Sequence, residues 1–210
     1  MKKFSEDEAF SYFIENLLNN SVTDKQVKAS LKNLKSEIKP FNPYKISQMT
    51  PAQLRKILLK KPGHRRYKSL SENIILAAKK ILKEYNGDCR KIWEGNRDIN
   101  EVIKRLREFR GIGQKISNDF TDILLRNHGI ELEGLEKLDV PADRHVVRVF
   151  FRTGLVEKED SRLVVKRARE LNPKCPADLD ITYDIGKKFC HERKPDCKEC
   201  PLYEECPKNF

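Results

Sequence analysis

Six cysteines occur in the 210-residue chain, and four of them fall within its last twenty-one residues. Cys190, Cys197, Cys200 and Cys206 have the spacing C-x6-C-x2-C-x5-C. Thiolates are soft metal ligands, and clustering of this kind in a chain without an export signal reads as a metal site, not a disulfide framework. Zinc ribbons and fingers usually build from two short C-x2–4-C pairs set far apart. Here one short pair is flanked by a single cysteine on each side. Four thiolates so placed can wrap a [4Fe–4S] cluster, with zinc as the alternative. Binding would also stabilise a segment with too few apolar residues to fold alone. The intervening His191, Arg193, Lys194 and Lys198 are mostly basic, so this loop can also press on a phosphate. Cys89 and Cys175 stand apart and read as ordinary thiols.

A second constellation lies in Leu106 to Gly129, LREFRGIGQKISNDFTDILLRNHG. Two apolar-periodic segments meet at Gly111-Ile112-Gly113-Gln114-Lys115. The glycines permit positive φ and let another backbone approach closely. The turn runs directly into a helix, so Gly113, Gln114 and Lys115 present unpaired N–H groups at a positive dipole end, a seat for phosphate. An ordinary helix–glycine–helix corner with a surface lysine has the same pattern. A third candidate is Asp143, behind Pro141-Ala142, where an aspartate can simply cap the helix that follows.

These residues need helices to position them, and helix signals run from end to end. Ser5 to Glu8, Thr23 to Gln26 and Thr50 to Gln53 read as helix starts, the last with Pro51 at the first helical position. The first of these helices carries the stripe Phe10, Phe13, Ile14, Leu17 and Leu18. Ser69 to Glu72 is expected to open a helix ending near Asn86-Gly87, and Asp98 to Glu101 the one entering the glycine turn. After the turn, Ile116, Phe120, Ile123 and Leu124 make a buried face, with Gly129 at the C-terminus. Further helices are expected from Pro141-Ala142-Asp143 to Gly154, over Ser161 to Leu171, and over Ala177 to Cys190. No alternating run supports a sheet, so the fold class is all-α, with nine or ten helices. Lys39 to Ser47 reads as a proline-broken connection. Lys60 to Lys68 (KKPGHRRYK) sets lysines and arginines around His64 and Tyr67, and suits either DNA-backbone contact or a solvated surface.

The formal charge of +11 and a pI of about 9.3 point to a polyanionic partner, nucleic acid before membrane. No apolar run is long enough to span a bilayer, and the acidic N-terminus MKKFSEDEAF lacks signal-peptide character. A soluble, intracellular protein of the cytoplasm or nucleoid is expected.

Taken together, the hairpin LREFRGIGQK, the segment VPADRHVVRVFFRTGL and the C-x6-C-x2-C-x5-C loop resemble the helix-hairpin-helix DNA glycosylases of the endonuclease III type. The resemblance runs from about Phe10 to Cys206. It implies a two-domain all-α fold: a helical-barrel domain with the hairpin over 19–131, and a cluster domain formed by the N-terminal helix (1–18) with 132–210. Lys115 falls where bifunctional members keep a nucleophilic lysine, and Asp143 on the catalytic aspartate. Ser21 falls where a glutamine is expected to fill the gap left by a flipped base, and serine is too short for that. Gly111, Gly113, Gln114, Ser21, Arg144, His145, Arg193 and Lys194 are the expected DNA contacts, and the four clustered cysteines the ligands of a [4Fe–4S] cluster.

The implied activity is that of a base excision repair glycosylase and AP lyase, acting as a monomer on double-stranded DNA with a damaged base or abasic site. The base must leave the stack before its glycosidic carbon can be reached. Lys115 would then attack that carbon to form a Schiff base, its position at a helix N-terminus disfavouring the ammonium form. Asp143 would stabilise positive charge on the sugar and relay protons. An oxidised pyrimidine is the expected lesion. The alternatives are a monofunctional glycosylase using Asp143 and water on mismatched or deaminated bases, and a non-catalytic DNA-binding module.

Overall fold

The computed structural model describes residues 4–20, 22–95 and 97–209, and Ser21 therefore lies outside the described residues. Among them it has ten α-helices, short 3₁₀ turns and no strand, only an isolated bridge between Asp98 and Glu133. The helices are α1 (Glu6–Leu18), α2 (Asp24–Glu37), α3 (Pro43–Ser47), α4 (Pro51–Leu58), α5 (Tyr67–Tyr85), α6 (Ile99–Arg107), α7 (Gln114–His128), α8 (Arg144–Arg152), α9 (Ser161–Leu171) and α10 (Ile181–Lys188). None is long and apolar enough to cross a membrane.

Local chemistry sets most of the boundaries. Ser5, Thr23 and Thr50 each accept from the backbone N–H three residues on, and Glu8, Gln26 and Gln53 return the bond, so α1, α2 and α4 start on capping boxes. Asn86 (φ 52°) and Gly129 (φ 60°) close α5 and α7 in the left-handed conformation. Helix α5 departs from expectation by starting earlier, at Tyr67 behind Arg66, which makes no side-chain cap. Ser69 and Ser71 lie inside it, their hydroxyls donating back to the carbonyls of Arg66 and Lys68 (3.2 and 2.7 Å) instead of capping. The expected helix over Ala177 to Cys190 is likewise divided. Pro176–Asp180 is a 3₁₀ turn held by the Ala177 N–H on the Leu138 carbonyl (3.0 Å), and α10 follows it. Inside the proline-broken connection, Asn42 caps the single turn of α3, with Pro43 at its first position.

A large core gathers the apolar stripes of α1, α2, α4, α5, α6 and α7 around Trp93, Phe109 and Phe120. The placement expected for the N-terminal helix needs correction here. Phe10, Phe13, Ile14, Leu17 and Leu18 of α1 are buried in this first core, not in the C-terminal one. Aromatic shape decides it: Phe13 meets Phe109 and Phe120 edge-on at 4.8 and 6.2 Å, and Tyr12 meets Phe120 at 4.7 Å. A second core joins α8 and α9 through Val146, Phe150, Val164 and Ala168. A small third cluster, including Ile99, Leu138 and Ala177, lies among α6 and the 3₁₀ turns. Helices α8 and α10 pack closely because Gly186 has no side chain: a Cβ there would lie 2.7 Å from the His145 carbonyl oxygen.

Candidate active site and metal centre

The glycine turn is built from both sides. Ile112 is buried and its N–H donates to the Phe109 carbonyl (3.0 Å), which folds α6 back toward α7. Gly111 sits at φ +100°, and a Cβ there would fall 2.6 Å from Asn73 Nδ2 and 3.3 Å from Leu17 Cδ1, so no other residue fits without displacement. Gly113 is the N-cap of α7 and supplies no side-chain cap, which leaves the first N–H groups of the helix facing outward. Lys115 lies on that first turn, about one-third exposed, with Nζ 3.2 Å from Asp119 Oδ2 one turn along.

Asp143 reaches the same region through contacts invisible in the sequence. The N–H of Asp139 donates to Asn118 Oδ1 (2.9 Å), and Gln114 Nε2 donates to the Val140 carbonyl (3.3 Å). Asn118 is buried and its Nδ2 donates to the Gln114 carbonyl (2.8 Å), so one amide on α7 serves both its helix and the segment leading to Asp143. Arg169 of α9 clamps Asp139 from the other side with two bonds of 2.6 and 2.8 Å. Asp143 is the N-cap of α8, its Oδ1 accepting from His145 N–H (2.7 Å) and Val146 N–H (3.0 Å). The capping role read from Pro141-Ala142-Asp143 is thus present, and both bonds go to a single carboxylate oxygen.

Sequence reasoning missed a third acid. Asp180, at the end of the 3₁₀ turn before α10, faces Lys115, Asp119 and Asp122 of α7 and also Asp143. Burial, and then the charges of Asp119, Asp122 and Asp143, push its carboxyl up to about 7, against the opposing effect of Lys115. It lines an open cavity of about 290 Å³ together with Asp122, Arg126, Ile181 and Tyr183. Arg126 Nη2 bridges from α7 to Asp178 (2.6 Å), tying the two walls together. Farther along, Lys187 of α10 reaches Asp24 at the start of α2 (2.9 Å) and the Tyr183 hydroxyl (3.1 Å). No motif marked Asp180, and its only sequence signal was an acid beside a proline-started turn.

The remaining expected contacts divide. Arg144, Arg193 and Lys194 are exposed. His145 is half-buried, its Nδ1 3.0 Å from Arg148 Nη2 and its ring edge-on to Tyr183 at 5.5 Å, so it is engaged within the protein.

Helix α8 also holds the cysteine loop. The buried Arg148 donates to the Cys190 and Gly186 carbonyls (2.5 and 2.9 Å), and Arg152 donates to those of His191 and Glu192 (2.7 and 2.8 Å). Cys190, Cys197, Cys200 and Cys206 are all reduced and all line one cavity, walled also by Phe189, Pro195 and Leu202. Among the described residues, no three His, Cys, Asp or Glu side chains converge closely enough to hold a single metal ion. Four thiols around a shared apolar cavity fit a polynuclear cluster, whose irons each take one sulfur, better than one zinc, which needs four sulfurs at about 2.3 Å from a single point.

No family model matches the chain. It is similar to the endonuclease III of Rickettsia felis and to that of a Synechocystis strain, at 28% identity over 142 and 144 residues. These alignments take in 67% of this chain but only 57% of the length of those relatives. The endonuclease III of Rickettsia conorii is 25% identical over 203 residues, covering 96% of this chain and 85% of that protein. Among solved structures, a trapped endonuclease III–DNA covalent intermediate superposes with a TM-score of 0.70 at 23% identity, over 95% of this chain and 83% of that one. A thermostable thymine-DNA glycosylase superposes with a TM-score of 0.66 at 17% identity, over 97% and 84%.

Proposed function

We propose that this chain, which belongs to the endonuclease III type of the helix-hairpin-helix DNA glycosylase superfamily, is a bifunctional base excision repair enzyme. Its substrate is a damaged base, an oxidised pyrimidine, in double-stranded DNA, and it works as a monomer. The observation that supports this most is the attachment of segment 139–143 to the first turns of α7 through Asn118 and Gln114, which draws Asp143 toward Lys115. The open N-terminus of α7 takes a DNA phosphate, and the surplus positive charge draws the duplex in.

The lesion base leaves the stack, a step that damage makes cheaper. Lys115 leaves its pair with Asp119, loses a proton and attacks C1′ of the sugar. A bond forms between Nζ and C1′ as the glycosidic bond breaks, and the departing base takes up a proton. Asp143 stabilises the positive charge that develops at the sugar. Loss of the 2′ proton from the resulting imine then expels the 3′ phosphate by β-elimination. The residues that would hold a [4Fe–4S] cluster are Cys190, Cys197, Cys200 and Cys206, and when bound it would fold and rigidify the basic loop bearing Arg193 and Lys194.

The activity is tested with duplexes carrying single lesions, assayed for base release and for a covalent adduct after borohydride reduction. Release of an oxidised pyrimidine together with a trapped adduct is expected. Release without an adduct would move the reading to water activated near Asp143, and binding with neither to a DNA-binding module. The cysteine site has its own test. Cys197→Ala, purified without oxygen, should lose the yellow-brown absorbance and about four irons per chain expected of four-thiolate ligation. Residues 190–206 should become protease-sensitive while the helices of the first core remain. Stoichiometric zinc in the unmodified protein would overturn the assignment.

A further inference from the structure

The basic loop at residues 60–68 has no role in the chemistry above, yet its centre is the most enclosed histidine of the chain. His64 is 1% exposed. Its Nε2 lies 2.9 Å from the Leu18 carbonyl, and the Arg66 N–H donates to its Nδ1 at 3.1 Å. These two partners require a neutral ring with its proton on Nε2. Two further bonds join the same segments: Arg66 Nη1 donates to Asn20 Oδ1 (2.9 Å), and Gln26 Nε2 to the Gly63 carbonyl (3.3 Å). Gln26 is also the reciprocal partner in the Thr23 capping box, so the start of α2 is tied to the same loop.

We propose that His64 is the positioning residue of a two-segment lip, in which loop 60–68 and the turn between α1 and α2 are locked together to meet the gap left by a flipped base. The proposal rests on the glycosylase reading, which puts that turn at the gap. The lip supplies through shape what the short Ser21 does not supply through length, and it presents Arg65 and Arg66 to the backbone. An adaptable turn would pay its ordering entropy on each DNA encounter, whereas a pinned one has paid it on folding. The pin depends on charge. Burial, the largest effect, holds the His64 ring below the usual imidazole range, and the adjacent Arg66 and Arg65 add to this against the bond to the Leu18 carbonyl. The side chain of Gln26, from α2, is neutral. Protonation at Nδ1 ejects the Arg66 N–H and releases that half of the lip.

The experiment uses the full chain and a duplex with a tetrahydrofuran abasic analogue opposite 2-aminopurine, whose fluorescence rises when its stacking is disturbed. Wild type is expected to prefer this duplex over an undamaged one, and His64→Ala to lose about tenfold of that preference, as the loss of one buried hydrogen bond implies. Circular dichroism and a thermal melt establish that the variant is folded. His64→Gln, which can still donate to the Leu18 carbonyl but does not titrate, should recover most of the preference. It should also hold that preference flat between pH 5 and 7.5, where wild type declines on the acid side. The Arg66 amide, protected from hydrogen exchange in wild type at neutral pH, should lose protection in His64→Ala. An undiminished preference in His64→Ala, or an unchanged acid decline in His64→Gln, overturns the proposal. Absence of any abasic preference in wild type overturns the glycosylase reading itself, so the two failures are distinguishable.

Discussion

Replacing Lys115 with glutamine should abolish the borohydride-trapped adduct and lower strand cleavage at an abasic site by roughly 10³-fold or more, because the amide has no nucleophilic lone pair to form an imine. The fold should survive. Lys115 is a part-exposed residue on the first turn of α7, and its pair with Asp119 is a helix-surface contact of the kind worth about 0.3–0.5 kcal/mol. Affinity for an abasic duplex should fall by no more than one phosphate contact's share, since the open N–H groups after Gly113 remain. The informative comparison is Asp143→Asn. It keeps a capping oxygen for the N–H groups of His145 and Val146 but removes the negative charge, so base release should drop by roughly 10²–10⁴-fold with α8 intact. A trapped adduct that persists in Lys115→Gln would transfer the nucleophile to another amine.

Asp180→Asn should make the protein more stable at pH 8 and leave it unchanged near pH 4. The Asp180 carboxyl is raised from 3.8 to about 7 in the folded protein, first by burial and then by Asp119, Asp122 and Asp143. Below pH 3.8 both folded and unfolded chains carry it protonated, and it contributes nothing. As pH rises toward 7 the unfolded chain releases the proton while the folded chain retains it. Stability therefore falls over that window, and above 7 the full cost is present. Allowing for partial solvent access at the cavity, the cost is about 2–4 kcal/mol. Asparagine escapes it, so thermal melts of the two proteins should coincide near pH 4 and separate by roughly 5–10 °C at pH 8. Melting curves that stay parallel across this range would show that Asp180 is ionised in the fold. A neutral acid retained beside Lys115 and Asp143, at a cost in stability, is the pattern of a site whose charges are arranged for a reaction.

Much of the helical architecture was legible from short-range chemistry. The reciprocal boxes at Ser5, Thr23 and Thr50, the left-handed closures at Asn86 and Gly129, and the apolar stripe of α1 each depend on residues within about one or two turns of one another. Where local signals competed, the reading slipped. Ser69 looked like a helix start, yet its hydroxyl turns back to Arg66, because a longer α5 buries Leu70 in the first core. The stripe of α1 was correct but its destination was not, since a periodic face states that it will be buried and not against what.

Sequence alone determined the all-α class, the glycine turn that opens α7 without a cap, and a cysteine spacing that places four thiols around one cavity. Tertiary structure alone decided which charges share the site. Asp180 meets Lys115 across a gap of more than sixty residues in the chain, Lys187 reaches Asp24 across 163, and His64 finds its carbonyl partner 46 residues away. Caps, turns and metal-ligand spacings are written in neighbouring residues because the backbone joins them directly. A proton's affinity for Asp180 or His64 depends on what burial removes and which charges the fold brings close, and that is a property of the packed chain.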